Sequence, residues 1–387
     1  CEDRCDQIER EMRDPKAAER FALKQSQSFV DQMEGFALEL EDELMNFSDV
    51  SYKSFVKSES EIITLFYDKF ADIPLLSRMD AVAETFIDEI ETLLNRDLPE
   101  EERIPLIEKF RKMYETMDFY VLYNRFLKQE GFSALPQVQY EKRKLRYEDV
   151  YPVLYLKYRL SRQAERSNIK HLVIDEMQDY SRLQYLIIRR MFSCKMTILG
   201  DRAQTMADQQ QDVLQFLPGI FGKDLRRIEM RKSYRNTVEI ASYAANLIGV
   251  TDLELFERHG IPVVERDVTD LEAALREAVD TLFPEEKTYE TAAVIVPDEK
   301  TAERAYLILR EILAEKDFDC EKRLSWLNRD SSSFKKGLTV TTFYLAKGLE
   351  FDQVFSIFPK DEKREMMMQA QYIAATRALH ELRVYHI

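Results

Sequence analysis

Two adjacent carboxylates, Asp175 and Glu176, stand directly after the apolar run Leu172-Val173-Ile174. A run of that length and type is what a strand buried in a parallel sheet looks like. In open α/β sheets ligands bind at the carboxyl ends of the strands, where this pair would stand. Two carboxylates placed there can divide the work, Asp175 holding Mg²⁺ through oxygen and Glu176 polarising a water. That is one half of a nucleotide-hydrolysing site.

Four further segments have residues able to complete it. Met196–Leu199 reads as a strand ending in Gly200-Asp201-Arg202-Ala203-Gln204, and the Gln204 amide can hydrogen-bond a phosphate oxygen or an attacking water. Ser233-Tyr234-Arg235-Asn236 follows a basic, strand-like stretch and opens a helix. Arg235 there can meet developing phosphate charge and the Tyr234 ring can stack on a base. In Thr339–Asp352, a strand with threonines leads into Lys347-Gly348, where backbone can approach a ligand, and then Glu350, a carboxylate able to accept from a ribose hydroxyl. Gln371–Leu382 places Arg377 late in a helix before a last strand, a second guanidinium for phosphate. Each has a plainer reading in isolation: a Gly-Asp turn, an exposed Tyr-Arg pair, a salt-bridged arginine.

The elements that must position these residues change character along the chain. Residues 1–166 contain two glycines, Gly35 and Gly131, and read as helical. Phe29, Met33, Phe36, Leu40 and Leu44 form an amphipathic stripe, and Pro74, Pro99, Pro105 and Pro136 punctuate the region. Glu148-Asp149 opens one more helix, with Val150–Leu160 as its apolar body. Beyond residue 167 strands (171–174, 196–199, 292–296, 338–342, 353–357, 382–385) alternate with helices (181–192, 236–248, 269–282, 299–314, 363–379). Such alternation argues an α/β fold with a parallel sheet.

The net charge of −15 is uneven. Residues 1–150 hold 34 acidic and 21 basic side chains, a balance of −13, and residues 151–387 hold 37 and 35, a balance of −2. An acidic first region is a poor platform for a polyanion and suits a basic protein surface or a solvated helix face. No run of about 18 apolar residues exists, so no membrane helix is expected. Cys1, Cys5, Cys194 and Cys320 make neither a disulfide framework nor a zinc site, and free thiols point to a cytoplasmic protein. The start, Cys-Glu-Asp-Arg, is neither a signal peptide nor an initiator methionine and reads as an internal cut.

Taken in order, the chemical segments resemble motifs II to VI of superfamily-one helicases of the UvrD/Rep class, over roughly residues 168–387. The resemblance implies RecA-like parallel sheets of the P-loop NTPase type. It also implies Asp175 on Mg²⁺, Glu176 activating water, Gln204 sensing the γ-phosphate of ATP and Tyr234 on adenine. Arg235 and Arg377 would contact the γ-phosphate, and Glu350 the ribose, beside Lys347 and Gly348. On that reading residues 1–166 are a helical insertion, 167–231 the end of RecA-like domain 1, and 232–387 RecA-like domain 2.

Three departures narrow the resemblance. No G-x-x-x-x-G-K-[ST] loop occurs, so nothing here cradles the β- and γ-phosphates. The expectation is a fragment, inactive alone, of a longer ATPase; a degenerate, non-catalytic interaction module is the rival. Thr205–Val213 lacks the aromatics that stack on single-stranded bases, each worth about 1–3 kcal/mol, which weakens the case for movement along a strand. The interval Asn236–Leu338, about 100 residues, leaves room for little beyond one sheet domain. With Tyr344-Leu-Ala-Lys-Gly-Leu-Glu-Phe-Asp352 and Tyr147-Glu-Asp-Val-Tyr-Pro-Val-Leu-Tyr-Leu-Lys157, these features are similar to the HelD branch. The resemblance implies an acidic arm, binding to RNA polymerase and ATP-driven recycling of it. A true 3′–5′ DNA helicase, binding DNA, is the alternative.

Overall fold

The computed structural model describes residues 2–162, 168–201, 204, 213–230, 232–250, 254–316, 318–331, 336–360 and 365–387. The segment Thr205–Asp212, expected to lack stacking aromatics, and Arg202, Ala203 and Cys1 lie outside the described residues. The chain divides into two compact units, one of residues 1–175, 180–199 and 213–224, the other of 176–179, 200–212 and 225–387.

The first unit is mainly helical: α1 (Arg4–Arg13), α2 (Pro15–Gln25), α3 (Gln27–Glu43), α4 (Glu59–Thr64), α5 (Leu75–Leu94), α6 (Glu100–Arg111), α7 (Phe119–Gln129) and α8 (Tyr147–Leu160). The α3 stripe is its core: Phe29, Met33, Phe36, Leu40 and Leu44 are all buried. Ser26 caps that helix by accepting from the Phe29 amide. Pro74 and Pro99 stand at the starts of α5 and α6, as expected. Pro105, however, lies inside α6 rather than ending it. It sits on the exposed side, where water serves the carbonyl that a proline cannot reach.

A short hairpin, β1 (Val50–Tyr52) with β2 (Phe55–Lys57), was not expected from sequence. Three residues per strand are too few to show a period of two. Glu148 and Asp149 do open α8, but they are buried rather than solvated. Lys24 Nζ donates to Asp149 at 2.6 Å and to Glu148 at 3.3 Å, and Tyr123 Oη donates to Asp149 at 2.8 Å.

The same unit holds β3 (His171–Ile174) and β4 (Lys195–Ile198), a two-stranded parallel sheet, with α9 (Arg182–Met191) between them in sequence and α10 (Val213–Phe221) after them. Here the expectation of a fully buried strand fails. Ile174 packs on Tyr185, Val213, Phe216 and Leu217, but Val173 is 61 % exposed. With β4 as the strand partner of β3 among the described residues, one face of the pair stays open. Helix α10 escaped the sequence reading because Pro218 and Gly219 interrupt its pattern.

The second unit contains a six-stranded sheet of β7 (Val264–Asp267), β8 (Thr291–Val296), β9 (Leu324–Trp326), β10 (Gly337–Thr342), β11 (Phe351–Phe358) and β12 (Ala378–His386). Its order is β7-β12-β11-β8-β10-β9, every pair parallel. The inner strands β8, β10 and β11 are buried along almost their whole length, polar Thr339, Thr341, Gln353 and Ser356 included, because both faces are covered, as parallel strands require. The helices are α11 (Val238–Ile248), α12 (Leu271–Asp280), α13 (Glu299–Ala314), α14 (Cys320–Arg323) and α15 (Glu365–Thr376). A small parallel pair, β5 (Lys232–Ser233) with β6 (Glu254–Leu255), lies beside them. The α/β fold with a parallel sheet and a separate helical region is therefore as the alternation argued.

Two boundaries moved. Among the described residues of the basic stretch before Tyr234, strand is confined to Lys232–Ser233. The helix expected over 363–379 ends at Thr376, and β12 begins at Ala378, so Arg377 occupies the single turn residue between them rather than a helix. Sheet pairing decides this: the Phe351 amide donates to the Arg377 carbonyl at 2.9 Å, starting the β11–β12 ladder.

Candidate functional site

Within the second unit the expected residues are joined by hydrogen bonds. Arg377 is 1 % exposed. Its Nη2 donates to Gln204 Oε1 at 3.2 Å and to Thr376 Oγ1 at 3.1 Å, its Nε to the Ile373 carbonyl at 3.2 Å, and its Nη1 to the Leu349 carbonyl at 3.5 Å. Among the described residues no carboxylate lies within ion-pair distance of it, so the salt-bridge reading of this arginine fails. Burial depresses its pKa and the charge of Arg235 adds to the effect, while Glu176 and Glu350 oppose it. A buried guanidinium without a direct counter-ion is a poor stabilising device and a good receptor for an anion.

Gln204 also donates from Nε2 to Asp201 Oδ2 at 3.0 Å. Asp201 in turn donates its amide to Gln178 Oε1 at 3.1 Å, and Gln178 Nε2 donates to Glu176 Oε2 at 2.5 Å. Glu176 itself sits in the left-handed region, with φ +52°. Such a conformation costs a non-glycine residue on the order of 1–3 kcal/mol and clusters at functional sites. The turn that holds it closes through the Asp179 amide on the Glu176 carbonyl, at 2.9 Å. Gly200 permits the approach: a Cβ there would stand 2.5 Å from Gln178 Oε1 and 2.6 Å from the Met177 amide nitrogen. Asp175 is the exposed carboxylate at the carboxyl end of β3 in the first unit.

Two of the other expected residues pair with each other. Arg235 Nε lies 2.6 Å from Glu350 Oε1, both half-exposed, so the candidate phosphate contact and the candidate ribose contact neutralise each other here. Lys347 Nζ donates to Asp179 Oδ1 at 2.5 Å. Gly348 has φ +76°, with open space where a side chain would project, so backbone there can meet a ligand. The Tyr234 ring is 60 % exposed and leans on Phe256, centroids 5.5 Å apart, with Lys232 Nζ 5.5 Å from the tyrosine ring.

Sequence reasoning missed the residues that hold this set together. Gln178, Asp179 and Asp201 lay inside the segments first singled out, but nothing in their spacing told which partners they take. Asn236 is buried and donates from Nδ2 to the Ala378 carbonyl at 2.6 Å and the Thr376 carbonyl at 3.2 Å, clamping the turn that carries Arg377. Arg258 Nη2 donates to the carbonyls of Leu379 and Arg235, both within 2.6 Å. Tyr372 Oη reaches Asp201 Oδ2 at 3.4 Å.

Among the described residues no cluster of three or more His, Cys, Asp or Glu side chains could hold a metal ion alone. Mg²⁺ bound through one carboxylate, substrate phosphate oxygens and waters does not need one, and Asp175 is a hard oxygen donor of the right kind. No helix of the described residues is long and apolar enough to cross a membrane.

A scan against protein families matches residues 6–206, just over half of the 387, to the UvrD/REP helicase N-terminal domain. No curated protein matches the chain. Solved structures that resemble it include the C-terminal domain of a possible DNA helicase from Lactobacillus plantarum WCFS1 (23 % identity, 40 % of this chain and 88 % of that one, TM-score 0.31). Others are the PRRSV helicase (14 % identity, 69 % of this chain and 45 % of that one, TM-score 0.32) and an arterivirus nonstructural protein 10 helicase in complex with DNA (13 % identity, 69 % and 51 %, TM-score 0.31). The chain thus spans about half the length of the viral helicases it matches.

Proposed function

Given that this chain belongs to the UvrD/REP helicase family, we propose that it forms the hydrolytic-sensor part of an ATP-dependent helicase-family motor. One observation carries the reading. Buried Arg377, without an ion pair among the described residues, is linked through Gln204, Asp201 and Gln178 to Glu176. A guanidinium aimed at charge, an amide able to touch the same phosphate, and a carboxylate able to orient water are what γ-phosphate cleavage needs.

In this reading Glu176 orients the attacking water and accepts its proton, with Gln178 fixing one of its carboxylate oxygens. Gln204 and Arg377 bind the γ-phosphate oxygens, Arg235 leaves Glu350 to reach the same charge, and Glu350 is released to the ribose hydroxyls. Tyr234 presents a ring face to adenine, and Lys347 and Gly348 line the approach. Asp175 would hold Mg²⁺, which when bound neutralises phosphate charge. The phosphate-cradling loop is not among these residues. We place them in a longer protein of the HelD type, whose acidic helical unit contacts RNA polymerase and whose ATP hydrolysis releases or recycles it. The −13 balance of residues 1–150 supports that partner, because an acidic surface suits basic protein walls and repels DNA.

The test is ATP hydrolysis by the full-length gene product, with RNA polymerase or single-stranded DNA added. Stimulation by polymerase and co-purification with it support the HelD reading. Strong stimulation by single-stranded DNA together with strand unwinding would replace it with a DNA helicase. No nucleotide hydrolysis under either condition would leave a non-catalytic interaction module.

A further inference from the structure

We propose that Tyr372 is a positioning residue for nucleotide hydrolysis, acting through Asp201 to hold the Gln204 amide with its oxygen toward Arg377. The inference rests on the nucleotide reading above and adds a residue to it.

Donor and acceptor identity fixes the orientation of the Gln204 amide. A carboxylate only accepts and a guanidinium only donates. Gln204 is placed between one of each, Asp201 Oδ2 on its Nε2 and Arg377 Nη2 on its Oε1. Chemistry therefore forces the amide into a single orientation. Turned by 180°, it would set its NH₂ against the guanidinium and its oxygen against the carboxylate. Gln178 is oriented by the same rule, with the Asp201 amide donating to its Oε1 and its Nε2 donating to Glu176.

Two amides in series thus point the same way, and Asp201 is the residue both depend on. Its carboxylate locks one glutamine and its backbone locks the other. What holds that carboxylate is then decisive, and Tyr372 is placed to do it. Its hydroxyl lies 3.4 Å from the oxygen that receives Gln204, and the side chain stands on the last turn and a half of α15, ahead of Thr376 and Arg377 in the chain. Burial and the neighbouring carboxylate keep the phenol protonated, so it remains a donor at working pH. One helix end therefore supplies both the guanidinium and the anchor for the amide that meets it.

Tyr372→Phe in the full-length protein removes the donor and keeps the ring. The expected result is a kcat for ATP about three- to tenfold lower, the range an ordinary side-chain hydrogen bond commands, with KM and melting temperature unchanged. Asp201→Asn, which can offer either face to Gln204, should lose more, and Tyr372→Phe added to it should cost nothing further. A wild-type kcat in Tyr372→Phe, or losses that multiply in the double variant, would overturn the proposal while leaving the nucleotide reading intact. A wild-type protein that hydrolyses no ATP would instead remove that reading, and this inference with it.

Discussion

Arg377 Nη2 donates to Gln204 Oε1 across 3.2 Å, joining residues 173 positions apart in the chain. The bond decides what the buried guanidinium is for. Folding gains little from a cation taken out of water whose direct hydrogen-bond partners among the described residues are all neutral. The arrangement is understandable if a further anion completes it.

Replacing Arg377 by lysine tests that use of the guanidinium. Arg377→Lys keeps the charge and loses the fork that reaches Gln204, Thr376, Ile373 and Leu349 at once. The folded protein should hydrolyse ATP at least about 10²-fold more slowly, below the 10³–10⁵-fold effect assigned to a full arginine finger. Steady-state kinetics on the full-length protein, with a melting curve to confirm folding, provide the check.

Arg235 and Glu350 are a half-exposed pair, and such pairs contribute about 0–1 kcal/mol to stability. Glu350→Ala should therefore leave the melting temperature nearly unchanged and raise KM for ATP through loss of the ribose contact. A lower KM would mean that Glu350 merely restrains Arg235.

The helical unit offers a separate test of packing. Lys24 lies between Glu148 and Asp149, all three buried. Lys24→Met would leave buried Asp149 without its cation and Glu148 with Arg20 alone, 3.6 Å away, and should cost about 3–5 kcal/mol in urea unfolding. Replacing Asp149 and Glu148 by apolar residues in the same variant should recover most of that loss.

Much of this was legible beforehand, and the reasons are specific. The strands around Val294, Val340 and Phe355 showed themselves as short segments rich in β-branched and aromatic residues that alternate with helical stretches, which is the pattern of a parallel sheet. Short edge strands such as Leu324–Trp326 and Val264–Asp267 did not, since three or four residues carry no period. Glu176, Gln204 and Arg377 stood out by type and order. Gln178, Asp201, Tyr372 and Asn236 did not, because their roles depend on partners brought together by folding. Val173 misled: its hydrophobicity signalled burial, and in this chain its face is open.

The acid limit of the second unit should depend on Glu239. The Gly260 amide, together with His259 and Thr237, lowers its carboxyl to about 2, from an ordinary value near 4.5. A depressed carboxyl gives stability that is present above its unfolded pKa and lost as pH falls through the folded one. Wild type minus Glu239→Gln should therefore show a stability difference that is full above pH about 5 and shrinks toward pH 2. Thermal unfolding at stepped pH reads it, and a difference independent of pH would show that Glu239 acts without its charge.

The central claim is that Glu176 works on a water at a phosphate held by Gln204 and Arg377. Its most direct test is the steady-state ATP hydrolysis rate of the full-length protein carrying Glu176→Gln, which keeps shape and removes the base. With the base removed, kcat should fall at least about 10²-fold, as for loss of a general base, while nucleotide still binds. A variant that hydrolyses ATP at the wild-type rate would contradict it.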